Sequence, residues 1–151
     1  MPRPNSKIVL VASDHAGVLL KAALQQALPE WQWVDLGPVD GSRVDYPDYA
    51  SKLALQISGG TASQGILICG SGIGMSIAAN KIPGIRAALA ENPVAARLSK
   101  EHNDANVLCL GARFLAPEYA TDIARAWLET LFSGEERHAK RVRKIAALEQ
   151  T

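Results

Sequence analysis

The chain has 151 residues, 48% of them hydrophobic and 21% charged, with a net charge of +1 at pH 7. That length supports one packed core rather than two, so residues 1–151 are read as one domain. The near-neutral charge offers no field for gathering nucleic acid or an anionic membrane surface. No apolar run nears the ~18 residues that cross a bilayer.

Residues 1–6 lack the apolar stretch of a secretory signal. Two cysteines, Cys69 and Cys109, are too few for a disulfide framework, so a reduced, cytoplasmic protein is expected.

Strand-like and helix-like runs alternate from end to end. Residues 7–12 are a short β-branched apolar run and predict a strand. Residues 17–28 carry apolar side chains at helical spacing, and Pro29 closes that helix. Residues 31–36 predict a second, more exposed strand. A polar loop, 37–45, leads into a helix over 46–58 with Tyr49, Leu53 and Ile57 along one face. Residues 65–69 make the third strand and 72–81 its helix. Residues 84–90 predict a fourth strand. Asn92 followed by Pro93 has the form of an N-cap and first-turn proline, opening a helix over 93–100. Residues 106–110 are the fifth strand and 117–132 a long helix. Ser133 and Gly134 break it before a highly charged last helix over 135–150.

Uninterrupted apolar strands alternating with helices predict a parallel sheet buried on both faces. Right-handed crossovers then make an α/β fold, a three-layer α/β/α sandwich with a five-stranded parallel Rossmann-like sheet. Ligands in such folds lie beyond the carboxyl ends of the strands. Ser13, Asp14 and His15 follow the first strand, Cys69, Gly70 and Ser71 the third, and Gly111, Ala112 and Arg113 the fifth. These residues are therefore expected on one rim.

The most informative stretch runs from Cys69 through Gly70, Ser71, Gly72 and Ile73 to Gly74. A glycine-rich turn between a strand and a helix aims several backbone N–H groups at one point and adds the positive end of a helix dipole. Its glycine spacing differs from the dinucleotide fingerprint, and no Gly-Lys-Ser/Thr ending follows. It suits an oxyanion or a small phosphate. A sulfur beside such a nest suits proton abstraction next to a carbonyl. Cys109 has no such turn and is read as a small buried hydrophobe.

His15 and His102 fall in polar loops around the sheet, and neither histidine nor cysteine spacing makes a metal site. Arg137 and Arg141 are four apart and share one helix face. Two guanidinium forks on one face suit a phosphate monoester. Lys140, Arg143 and Lys144 are read as solvated. Without interleaved aromatic residues the run does not suit nucleic acid.

Together these motifs resemble the ribose-5-phosphate isomerase B family, which includes allose- and galactose-6-phosphate isomerases. The likeness covers nearly the whole chain. It runs through Asp14, His15 and Gly17, through Asp45, Tyr46 and Pro47, through 65–74, through 77–81 and 84–87, through His102 to Asn106, and through Arg113, Arg137 and His138. The resemblance implies an aldose–ketose isomerase in which Cys69 moves a proton between C2 and C1 of an open-chain sugar phosphate. Some members place a glutamate base in the following helix; Met75 stands there in this chain, which points to the cysteine branch.

By the same resemblance His102 opens the sugar ring. Asp14, His15, Tyr46, Asn103 and Arg113 contact the sugar phosphate, and Arg137 and Arg141 hold its phosphate. The amides of Gly70, Gly72, Ile73 and Gly74, with the Ser71 hydroxyl, would stabilise the enediolate. The resemblance further implies a homodimer or homotetramer with sites shared between subunits, and neither metal nor cofactor. The last helix, 135–150, is poorly suited to the domain's own core and is expected at a subunit boundary. Three rival readings remain open: a hexose-6-phosphate isomerase, a cysteine hydrolase using Cys69 with His102, and a non-catalytic sugar-phosphate binding protein.

Overall fold

The computed structural model describes residues 6–150, with side-chain surroundings through Glu149. Its elements are β1 (Ile8–Ser13), α1 (Val18–Ala27), β2 (Gln32–Asp35), α2 (Tyr46–Ser58), β3 (Gly65–Cys69) and α3 (Ile73–Ala79). They continue with β4 (Ala87–Leu89), α4 (Pro93–Glu101), β5 (Val107–Gly111), α5 (Pro117–Leu128) and α6 (Glu136–Ala147). All five strands pair in parallel, in the order β2-β1-β3-β5-β4.

The period-two alternation of each central strand builds two cores. Val9, Val11, Ile66, Ile68, Leu108 and Leu110 face α1, α4 and α5. Leu10, Ala12, Leu67, Cys69, Val107 and Cys109 face α2 and α3. The expected three-layer α/β/α sandwich is the observed one. β2 is an edge strand, and its residues are half-buried or exposed, as their mixed sequence implied.

Several element ends differ from the sequence reading, each for a tertiary reason. Gly72 takes the left-handed conformation at φ +78°, so α3 begins only at Ile73. At the other end of α3, the Asn80 side chain donates to the Ala87 carbonyl and accepts from its N–H. Asn80 thereby stands in for a strand partner at the start of β4. That strand is shorter than expected because Arg86 is held by the Asn106 side chain before the ladder begins. Helix α5 stops at Leu128 rather than at 132. The Thr130 hydroxyl donates back to the Ala126 carbonyl, and the Ser133 N–H is drawn to the Glu101 carbonyl. A separate 3-10 turn, His15–Gly17, precedes α1, and another, Leu148–Gln150, ends α6.

Lys100, in the last turn of α4, ties that helix to the foot of β3. Its ammonium donates to Gln64 Oε1 at 2.7 Å and sits 4.1 Å from the centroid of the buried Trp127 ring. Burial pushes the Lys100 ammonium down to about 8, while the Asp104 carboxylate pulls the other way. The unfolded chain therefore holds more protons than the folded one between pH ~8 and ~10.5. Stability at this site accordingly rises with pH across that window, by up to about 3 kcal/mol. Urea unfolding of the wild type and of Lys100→Met from pH 7 to 10.5 checks this. The wild type is expected to gain on the variant as pH rises, and parallel curves would refute it.

Candidate active site

The strand order reverses between β1 and β3, and in open α/β sheets ligands bind beyond the carboxyl ends of the strands at such a point. The rim predicted from the sequence is assembled at that end of the sheet. Asp14, at the end of β1, caps the 3-10 turn: its Oδ1 accepts from the N–H groups of Ala16 at 2.9 Å and Gly17 at 3.2 Å. This capping contact holds His15 in place. The Val44 N–H donates to His15 Nδ1 at 3.3 Å. A ring nitrogen that accepts leaves the proton on the other, so neutral His15 presents Nε2–H as a donor.

Cys69 ends β3 and is 4% exposed. The Gly72 N–H donates to its Sγ at 3.1 Å, which closes the turn on the sulfur itself. The Ser71 Oγ accepts from the Ile73 N–H at 3.2 Å, leaving the hydroxyl proton available to a ligand. Two glycines of the turn pack closely against side chains of the rim. A Cβ on Gly70 would stand 2.8 Å from the Arg113 guanidinium, and one on Gly74 would stand 2.5 Å from the Tyr46 ring. Arg113 follows β5 and Tyr46 opens α2, so four elements converge on this turn. Met75 is fully buried in the core behind Cys69. Cys109 lies in the same core, and burial, with Cys69 nearby, pushes its thiol above the usual range.

The remaining predicted residues lie elsewhere in the same chain. His102 caps the C-terminal end of α4 rather than floating in a loop. It belongs to the opposite edge of the sheet, where Asn106 accepts from the first residue of β3, Gly65. A five-residue parallel strand separates the two edges by about 13 Å. At this far edge His102 stacks on His138, with ring centroids 4.3 Å apart, and its Nε2 is 3.7 Å from Glu101 Oε1.

His138 is buried on α6, and its Nδ1 shares a hydrogen bond with Ser133 Oγ at 2.7 Å. Burial, with His102 and Arg137 close by, pushes its imidazole below the usual range. Asn103 and Ile145 line one cavity of about 260 Å³, which places the His102 loop beneath α6. The Arg137 Nε donates to Glu135 Oε2 at 2.8 Å, and Arg137 and Arg141 are both exposed.

One chain thus brings together Asp14, His15, Tyr46, Arg113 and residues 69–74, and keeps His102, Asn103, Arg137 and Arg141 apart from them. Sequence reasoning assigned no role to His138. Only its place beside Arg137 marked it; the stacking on His102 comes from tertiary packing. Among the described residues, no group of three His, Cys, Asp or Glu side chains is gathered as a metal would need. No helix of the described residues is long and apolar enough to cross a membrane.

Comparison with known proteins identifies the family. The model of the Ribose/Galactose Isomerase family matches residues 9–145. Ribose-5-phosphate isomerase B of Escherichia coli is 45% identical over 146 residues, covering 95% of this chain and 97% of its own. The type B ribose 5-phosphate isomerase of Trypanosoma brucei superposes with a TM-score of 0.92 at 45% identity, over 95% of this chain and 99% of its own. Ribose-5-phosphate isomerase B of Clostridium thermocellum gives 0.91 at 45% identity, over 95% and 97%. Sequence and backbone agree over almost the full length of both partners, and the chain belongs to the ribose/galactose isomerase family of sugar-phosphate isomerases.

Proposed function

We propose that this enzyme interconverts ribose 5-phosphate and ribulose 5-phosphate through an enediolate. The observation that carries this reading is the Cys69 sulfur seated on the Gly72 N–H, with the Arg113 guanidinium against Gly70. His102 first opens the furanose, taking the anomeric hydroxyl proton and returning a proton to the ring oxygen. The Cys69 thiolate then removes the C2 proton, becoming a thiol and leaving an enediolate. Charge developing on the two oxygens is met by the Ser71 hydroxyl and by turn amides other than those of Gly72 and Ile73, which are engaged by Cys69 Sγ and Ser71 Oγ. The thiol finally returns its proton to C1, and the O2 hydroxyl proton passes to O1, which leaves the C2 ketone and the C1 alcohol. No atom is lost or gained.

The site is completed by a second copy of the chain, which supplies His102, Asn103, Arg137 and Arg141 to the Cys69 rim. The distance between the two groups supports this, because one chain separates what the chemistry needs together. So do the uncovered apolar residues beside the rim. Ile73 is 48% and Ile77 58% exposed, one turn apart on α3. Helix α6 buries only His138.

The direct test measures aldose–ketose conversion and solvent exchange of the C2 hydrogen on ribose, allose and galactose phosphates. Ribose 5-phosphate is expected to give the highest kcat/KM. Preference for a hexose would move the substrate, and exchange without Cys69 would move the base.

Arg137 and Arg141 grip the substrate phosphate in this scheme. The Glu135 partner of Arg137 is no obstacle, since an exposed ion pair is worth little in water. Replacing either arginine with alanine is expected to raise KM about ten- to a hundredfold, the worth of one charge-assisted contact. Inhibition by inorganic phosphate weakens in parallel. Wild-type phosphate inhibition in both variants would return the two arginines to a solvated face.

A further inference from the structure

Lys21, on α1, is 2% exposed, and no step of the proposed reaction uses it. Its ammonium donates to Asp35 Oδ1 at 2.7 Å and to the Pro38 carbonyl at 2.6 Å. The same Oδ1 accepts from the Gly37 N–H at 2.8 Å, and Oδ2 accepts from Gln25 Nε2 at 3.0 Å. One carboxylate at the end of β2 therefore gathers α1 and the first residues of the loop leading to α2. Removing an ammonium from water is costly, and an apolar side chain of similar volume often serves a core as well. Core stability alone therefore does not account for a charge at this place. Its geometry accounts for it better, because both ammonium bonds converge where the loop departs.

The far end of that loop is fixed by the Val44 N–H on His15 Nδ1, directly before Tyr46 meets Gly74. Between the two anchors the chain is open, with Val39 93% exposed and residues 40–43 exposed. The segment is a strap held at both ends, and its active-site end rests on a residue of the rim. We propose that Lys21 and Asp35 are positioning residues: they latch the strap 38–44, setting where it meets His15 and thereby how long a sugar phosphate the rim accepts. The sugar-length part rests on the isomerase reading above; the latch itself does not.

The test uses the intact enzyme and two variants. Lys21→Met keeps the bulk of the stem and removes both ammonium bonds. The double variant Lys21→Met with Asp35→Asn also removes the carboxylate left without its cation, and keeps the test open if the single variant does not fold. Arg43 lies in the strap and is its own trypsin site. Cleavage after Arg43 in the native protein is expected to quicken about tenfold or more, the worth of one lost charge-assisted bond, while cleavage after the exposed Lys81 stays unchanged. In parallel, KM for ribose 5-phosphate rises with little change in kcat, and the ratio of kcat/KM for allose 6-phosphate to that for ribose 5-phosphate shifts.

Unchanged cleavage after Arg43 in both variants overturns the latch, whatever the enzyme's substrate. Faster cleavage at Arg43 and Lys81 alike also overturns it, showing only a loosened core. Faster cleavage at Arg43 alone, with KM and the sugar ratio unchanged, overturns the role in sugar length.

Discussion

Cys69→Ala is expected to abolish measurable isomerisation, with kcat falling by about 10²–10⁴-fold or more, because general-base catalysis contributes that much. Solvent exchange at the substrate C2 should vanish with it. Binding of inorganic phosphate, followed by calorimetry, should persist, since in the proposed site the phosphate contacts are Arg137 and Arg141. The variant removes one buried sulfur and leaves the Gly72 N–H without its acceptor, a modest structural change.

Cys109→Ala is the matched control. Cys109 is fully buried in the same core, and burial pushes its thiol up, away from the reactive range. Its loss should cost on the order of 1 kcal/mol of stability and leave kcat in place. Near-normal turnover by Cys69→Ala would remove that residue from the mechanism. Equal loss in both cysteine variants would point to packing instead of chemistry.

His102→Asn is expected to harm a substrate that closes to a furanose far more than an aldose phosphate too short to cyclise. Equal loss on both would assign His102 to the proton transfer or to the fold. The same variant tests the shared site. Cys69→Ala and His102→Asn each damage a different half of a site built from two chains. If the halves come from different subunits, co-expression leaves one intact site in each mixed dimer. Random pairing in a symmetric dimer then restores about a quarter of wild-type activity from two inactive parents. No recovery, with mixed dimers present by mass, would place Cys69 and His102 of a working site in one chain.

The legible parts of this molecule share a physical cause. Continuous apolar runs such as 65–69 and 107–110 can only be central strands of a sheet covered on both sides, so fold class followed from pattern. The glycine turn after β3 was legible for a related reason. Gly72 has φ +78°, which side chains rarely adopt, and a Cβ there would stand 2.9 Å from the Leu110 backbone, while Gly70 and Gly74 pack closely against the Arg113 guanidinium and the Tyr46 ring. Such backbone constraints show in residue type. Boundaries were less legible, because the ends of β4 and α5 are set by Asn106 and by Glu101, side-chain and carbonyl partners remote in sequence.

Residue types at the strand ends sufficed to place Asp14, His15, Cys69, Ser71 and Arg113 on a common rim, since every parallel strand must point its carboxyl end the same way. Whether His102 belongs to that rim was not a local property. It depends on α4 carrying the chain back across the sheet, which delivers His102 to the opposite edge and onto His138. The Lys21–Asp35 pair was hidden for the same reason. Nothing in a helix from 18 to 27 and a strand from 32 to 35 announces a shared hydrogen bond, because only parallel pairing of β1 with β2, and α1 packed on their sheet, brings the ammonium to the carboxylate. Periodicity and strand polarity are written along the chain; which distant groups meet is settled by how the layers close over one another.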